Sequence, residues 1–244
     1  MRSLTLDKIL QSQGFGTRNY CRQLVSEGSV KINGLVATDL RLGHSLEDLK
    51  FSVFDEEWLY QKHVYIAINK PENIECSRKP SHHPGVLSLL PEQFAWRNVQ
   101  PVGRLDHDTT GLLLMSDDGA FIHAQSSPKR HVSKYYRATT HERVTPALIE
   151  ALLKGVKLHD EPILLAALQC VMINENTLEI VLEQGKYHQV KRMLAAAGNH
   201  CSALERNAIG SLSINSLGLQ KGEWCFLEER HLDLLKPLTS GANP

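Results

Sequence analysis

Arg104, Asp106, His107, Asp108, Thr109 and Thr110 crowd into GRLDHDTTGLLLMSDDG, Gly103 to Gly119, directly ahead of an apolar run. Two carboxylates two residues apart share a face if the chain is extended and diverge if it turns. Paired acids can do nucleophilic or acid/base work at a glycosidic carbon. Asp, Thr and Gly are also turn formers, and Asp108 or Thr109 could do no more than cap local backbone. Taken alone, the spacing favours the turn.

Two further groups could carry chemistry. GKYHQVKRMLAAAGNH, Gly185 to His200, reads as the start of an amphipathic helix, with His188, Lys191 and Arg192 against apolar Val190, Met193 and Leu194. A lysine there could pair with a carboxylate and hold it ionised; the plainer alternative is a solvated basic face. No HExxH or Cys/His spacing supports a metal site. SSPKRHVSKYYRATTHER, Ser126 to Arg143, sets Lys129, Arg130, Lys134, Arg137 and Arg143 against Glu142 alone, with Tyr135 and Tyr136 among them. Cations interleaved with aromatics suit phosphate contact and base stacking. A basic edge strand guarded against aggregation fits equally well, and in a strand only one of the two tyrosines can face inward.

These groups need elements to hold them. LLLMS, behind the acids, reads as a buried strand, as do VYIAIN, KYYRATT, TLEIVLE and a run in the 200s. Helical patterns at TPALIEALLKG and YHQVKRMLAAAG fall between them. The spacing is too irregular for repeated βαβ units, so the expected class is α+β with a mainly antiparallel mixed sheet flanked by helices. Upstream, residues 4–43 form a small unit. A helix over Leu4–Leu10 ends at Gly14 and Gly16, and a second starts after Thr17 and stops at Gly28. A hairpin then turns at Asn33-Gly34. In that unit Arg2, Lys8, Arg18, Arg22, Lys31 and Arg41 outnumber Asp7, Glu27 and Asp39, leaving +3. The expected division is a module at 1–55, a linker at 56–62 and a larger domain at 63–240.

Composition narrows the setting. Twenty-seven basic and 27 acidic residues cancel, so global charge points to no partner, although the local excesses do. Five scattered cysteines form no CxxC pair and fit a reducing compartment. The most apolar stretch, PILLAALQCVMI, is too short to span a bilayer. A cytoplasmic protein that engages no membrane is expected.

Taken together, the three groups resemble the motifs of the RsuA-type pseudouridine synthases, and the resemblance runs over essentially the whole chain. GRLDHDTTGLLLMSDDG matches the family signature, IAINKP its opening catalytic strand, Lys134-Tyr135-Tyr136 its Lys-x-Tyr element and KYHQVKRM its late basic motif. Residues 4–43 resemble the alpha-L RNA-binding module found at the family's N-terminus. The match is loosest over residues 73–98, where neither Trp96 nor the His82-His83-Pro84 turn takes a role.

The resemblance implies that Asp106 is the catalytic aspartate, that Tyr136 stacks on the target uracil and that Lys191 forms an ion pair with Asp106. It implies apolar pocket walls at Leu105 and Leu182, and RNA contacts at Arg104, Arg18, Arg22, Lys31, Lys134, His188 and Arg192. Asp108 and Thr110 go to loop architecture. The implied reaction converts uridine to pseudouridine in ribosomal RNA and needs neither cofactor nor metal. KYHQVKRM resembles the members that act on small-subunit (16S) rRNA rather than those acting on 23S rRNA. The expected partner is rRNA or a small-subunit assembly intermediate, met by a monomer. Two other readings compete: a non-catalytic RNA-binding assembly protein, and a small-molecule glycosidase using Asp106 with Asp108.

Overall fold

Residues 3–127 and 130–236 are described by a computed structural model of the chain. Arg2 and Lys129, counted among the basic residues above, lie outside the described residues, as do 237–240 of the expected larger domain. The chain divides into two compact units: the segment up to Val64 together with Leu90–Gln100, and Tyr65–Leu89 together with the chain from Pro101 onward. No helix among the described residues is long and apolar enough to cross a membrane.

The first unit opens with β1 (Ser3–Thr5), α1 (Leu6–Ser12) and α2 (Arg18–Ser26). Leu6, Ile9 and Leu10 are buried on one face of α1, as their spacing dictates. Leu4 belongs to β1 rather than to the helix, because its backbone pairs with His44 of β4 (Gly43–Ser45). The Thr17 hydroxyl accepts the Tyr20 N–H and caps α2. β2 (Val30–Ile32) and β3 (Leu35–Val36) form a hairpin. Its turn, Asn33-Gly34, has φ of 49° and 80°, the two positive values that a tight primed turn requires. β5 (Lys50–Val53) lies between β2 and β6 (Glu56–Leu59).

The expected linker at 56–62 therefore does not start where the acids suggested. Glu56–Leu59 is a strand, because the acids at 55–57 sit at a turn and along a sheet edge where charge stays solvated. Nothing in the residue pattern signals that residues from the 90s return to this unit. α3 (Glu92–Trp96) does so, and Arg97 behind it donates from Nη1 to Gln13 Oε1 and from Nη2 to the Gln61 carbonyl, at 2.9 Å each.

The second unit is built on a nine-stranded sheet. Its elements are β7 (Tyr65–Lys70), β8 (Gln100–Val102), β9 (Thr109–Ser116), α4 (Gly119–Ser126), β10 (Lys134–Thr140), α5 (Pro146–Lys154), β11 (Gln169–Asn174), β12 (Thr177–Leu182), α6 (Gln189–Ala196), β13 (Cys201–Ile209), β14 (Leu212–Ser213), α7 (Ile214–Leu217), β15 (Trp224–Phe226) and α8 (Glu229–Asp233). The order is β11-β12-β10-β13-β9-β7-β15, with β8 beside β9 and β14 beside β13. The β9–β13 pair is parallel and the other pairs on this path are antiparallel. With α4 against β9, α5 against β11 and α6 against β13, this is the mixed, helix-flanked α+β sheet expected.

Two features of the sheet place the site. Every residue of β9 is buried, so LLLMS is a central strand anchoring the polar loop ahead of it. Gly111 lets β9 approach β13: at φ 107° its backbone lies so near Arg206 that a Cβ would sit 2.3 Å from the Arg206 carbonyl oxygen. β10 is an interior strand between β12 and β13, so its cations do not guard an edge. Of its two tyrosines, Tyr136 is buried and Tyr135 is partly exposed.

Candidate active site

β8 ends at Val102 and β9 begins at Thr109, leaving a short loop in which the Thr109 N–H donates to the Asp106 carbonyl at 3.1 Å. That turn brings both acids to one cation. Lys191 Nζ lies 2.6 Å from Asp108 Oδ1 and 3.4 Å from Asp106 Oδ2. The expected Lys191–Asp106 pair is thus present, but the shorter contact goes to Asp108, which the sequence assigns to loop architecture alone. His188 Nε2 stands 3.2 Å from the other Asp106 oxygen, Oδ1. His188 and Lys191 share one side of the first turn of α6 because they are three residues apart.

Electrostatics favours the charged forms of Lys191 and Asp108. Burial works against the Lys191 ammonium, but the Asp108 hydrogen bond and the nearby Asp106 charge outweigh it and raise its pKa above the usual lysine value. Burial likewise pushes the Asp108 carboxyl up, and Lys191 pulls it back below the ordinary range. His188 adopts the left-handed region, φ 46°, at the start of α6, which costs about 1 kcal/mol for a non-glycine residue. Its ring stacks on Tyr187 with centroids 3.8 Å apart, and Tyr187 is 70% exposed.

Beside the acids opens a cavity of about 150 Å³, lined by Asp106, Tyr136, Leu105, Leu182, Lys134 and Arg206 among others. A cavity of ~150 Å³ accommodates a six-membered ring. Leu105 and Leu182 are buried in its wall. Tyr136 lies directly across from Arg206 in the β10–β13 register, so the two side chains share a face of the sheet. Arg206 is 3% exposed; its Nε donates to the Leu112 carbonyl at 2.9 Å, while one terminal nitrogen has no partner among the described residues.

The expected RNA contacts divide. Arg104 is exposed and lines the cavity. His188 faces Asp106, as described. Lys134 is turned inward, donating to the Val132 and Glu183 carbonyls at 3.0 and 3.2 Å. Arg192 pairs with Asp160. In the first unit, Arg18 and Arg22 both reach the buried Asp7, with Nε to Oδ2 distances of 2.7 and 3.6 Å, and Lys31 pairs with Asp55 at 2.5 Å.

Lys134 gives the fold a measurable pH dependence. Burial and the Arg206 charge pull its pKa from 10.5 down to about 8. Between about 8 and 10.5 the unfolded chain holds this proton and the folded chain does not, so stability rises with pH across that window. Denaturant unfolding from pH 8 to 10.5 should show the rise in the parent protein and a flatter curve in Lys134→Met. Parallel curves would refute it.

Sequence reasoning missed Lys70. It closes the buried strand YIAINK, is 0% exposed, and points Nζ at three backbone carbonyls: Pro71 at 2.9 Å, Ile74 at 3.0 Å and His107 at 3.2 Å. Burial lowers its pKa, against the opposing charges of Asp108 and Asp106. A lysine ending an apolar strand was the available signal, since a buried ammonium must find acceptors. His107, the residue between the two acids, is thereby held by its backbone. The Asn73 N–H donates to the same carbonyl at 2.8 Å.

Two family models match the chain. The RNA pseudouridylate synthase model covers residues 64–196 and the S4 domain model residues 4–42. The chain belongs to the RNA pseudouridylate synthase family. It is 39% identical over 181 residues to the ribosomal small subunit pseudouridine synthase A of Escherichia coli strain K12, covering 73% of this chain and 78% of that one. It is 32% identical over 236 residues to an uncharacterized RNA pseudouridine synthase of Bacillus subtilis strain 168, covering 95% and 98%. A crystal structure of a pseudouridylate synthase aligns with a TM-score of 0.66 at 30% identity, over 96% of this chain and all of that one.

Proposed function

We propose that this protein isomerises one uridine of small-subunit ribosomal RNA to pseudouridine, with Asp106 as the catalytic carboxylate. The observation that carries the reading is the Asp106 carboxylate, held by His188 and Lys191 at the mouth of the cavity that Tyr136 lines. The 39% identity to a small-subunit enzyme supports the choice of substrate.

The reaction breaks N1–C1′, turns the base and forms C5–C1′; C5 loses a proton and N1 gains one, so atoms and electrons balance within one nucleotide. The uridine must first leave its stack, which costs a few kcal/mol. Stacking on Tyr136 contributes ~1–3 kcal/mol in the other direction. Asp106 then faces the anomeric carbon, where a carboxylate can attack or stabilise developing positive charge. Lys191 and His188 fix its orientation and offset the cost of enclosing it. Asp108 serves by holding Lys191. Arg104, at the rim, meets the strand from which the nucleotide swings out. The S4-type unit adds phosphate contact through the exposed parts of Arg18 and Arg22 on α2 and Lys31 on β2, whose acidic partners engage them only in part. The reading carries a monomeric, cytoplasmic enzyme that acts on rRNA or a small-subunit assembly intermediate.

Pseudouridine mapping of both rRNAs, with and without the protein, tests this. One new site in 16S rRNA is expected. A new site in 23S rRNA alone would overturn the choice of subunit, and no new site in either would overturn the synthase reading.

A further inference from the structure

We propose that the loop from Glu75 to Gly85 is a preformed contact for the RNA phosphodiester backbone flanking the nucleotide delivered to Asp106. This rests on the reading of the chain as an rRNA pseudouridine synthase and gives a role to the His82-His83-Pro84 turn.

Between Cys76 and Gly85 the sequence SRKPSHHP holds Arg78, Lys79, His82 and His83 and no acid. The loop is closed at its base: the Glu75 N–H donates to the Pro84 carbonyl and the Val86 N–H to the Glu75 carbonyl, both at 2.9 Å. Its centre is filled by the Glu75 carboxylate, which accepts the N–H groups of Ser81, His82 and His83 at 3.1, 2.9 and 3.0 Å. Those backbone bonds hold the Glu75 carboxyl below the usual carboxylate range. The loop's acid is thus engaged by the loop's own backbone, while Arg78, Lys79 and His82 are exposed. Pro80 and Pro84 restrict the backbone further.

The loop is also fixed to the site. The His83 ring stacks on the His107 ring with centroids 4.7 Å apart and planes 12° from parallel. The Leu105 N–H reaches Cys76 Sγ at 3.5 Å. His107 follows Asp106 directly, so His83 packs on the residue next to the carboxylate. A flipped nucleotide stays covalently joined to its strand, which brings phosphates to this rim. A rigid tip bearing cations and no acid matches them, and its ordering cost is met before binding. A purely structural loop would need Glu75 and His83, but not the exposed Lys79 side chain.

The test uses the full chain, a 16S rRNA transcript containing the mapped uridine, and two surface variants, Lys79→Glu and Lys79→Ala. Kd and KM are expected to rise roughly tenfold at moderate salt, with kcat at saturating RNA unchanged. The dependence of log Kd on log salt should become shallower, by about 0.7–0.9 for each phosphate that the variant no longer neutralises. Unchanged Kd and salt slope in both variants, with the parent active, would overturn the proposal and leave the synthase reading standing. A fall in kcat with KM unchanged would also overturn it, because the loop would then act only through the catalytic loop. A parent inactive on both rRNAs would overturn the underlying reading instead.

Discussion

Asp106→Asn is expected to yield a folded protein that binds rRNA and forms no detectable pseudouridine, a loss of at least ~10⁴-fold in kcat. The amide matches the carboxylate in size, so the cavity keeps its shape. It removes the negative charge that His188 and Lys191 face at 3.2 and 3.4 Å, and with it the nucleophile or base. Lys191 keeps its 2.6 Å contact with Asp108, so the variant is not left with an unpaired buried cation. The measurement is single-turnover conversion of a 16S rRNA transcript, with binding followed separately. Turnover within tenfold of the parent would sink the assignment of Asp106. Asp108→Asn serves as the contrast: it loosens Lys191 and should lower kcat only partially. Equal, near-total losses in both variants would mean that Asp108 does more than hold Lys191.

Lys70→Met is expected to destabilise the second unit by roughly 2–4 kcal/mol and to lower kcat in the fraction that folds. Three carbonyls lose a charged donor, and the His107 carbonyl, one residue from Asp106, keeps only its bond from Asn73. Methionine fills similar volume, so the effect isolates the ammonium. Urea unfolding of parent and variant at pH 7 reads the stability, and kcat at low temperature reads the positioning. Equal or greater stability in the variant would mean that burying the charge costs more than its three hydrogen bonds contribute.

The candidate site's residues are named through the resemblance of three motifs to one family, since spacing alone favours a turn at the two acids. Asp106 and Tyr136 line one cavity with Leu105 and Leu182 in its wall, and Lys191 stands beside Asp106. What escaped depended on long-range geometry. His188 reads as a surface cation, and only the turn into α6 aims it at Asp106. Arg206 carries no signal in the sequence, and Lys134 reads as an RNA contact, until the register of β10 and β13 places them on the face that carries Tyr136. Arg18 and Arg22 promise phosphate contact, yet Asp7 already engages both. The fold class followed from the alternation of strand and helix patterns. The boundary between units did not, because the acids of Glu56–Leu59 look like solvent-exposed linker while their backbone completes a sheet.

The parallel pairing of β9 with β13 bears on how the protein is made. Ninety-five residues separate Thr109 from its partner Leu204, and Lys191 lies far downstream of Asp106. Contacts of such sequence separation form slowly, because the intervening chain must be ordered first. During synthesis the segment up to Val64 emerges long before β13, and domains generally fold as units in that order. A nascent chain can therefore present its S4-type unit while Asp106 still lacks Lys191 and His188. Catalytic competence arrives only when the last strands of the sheet have joined, so chains interrupted before β13 should bind without modifying.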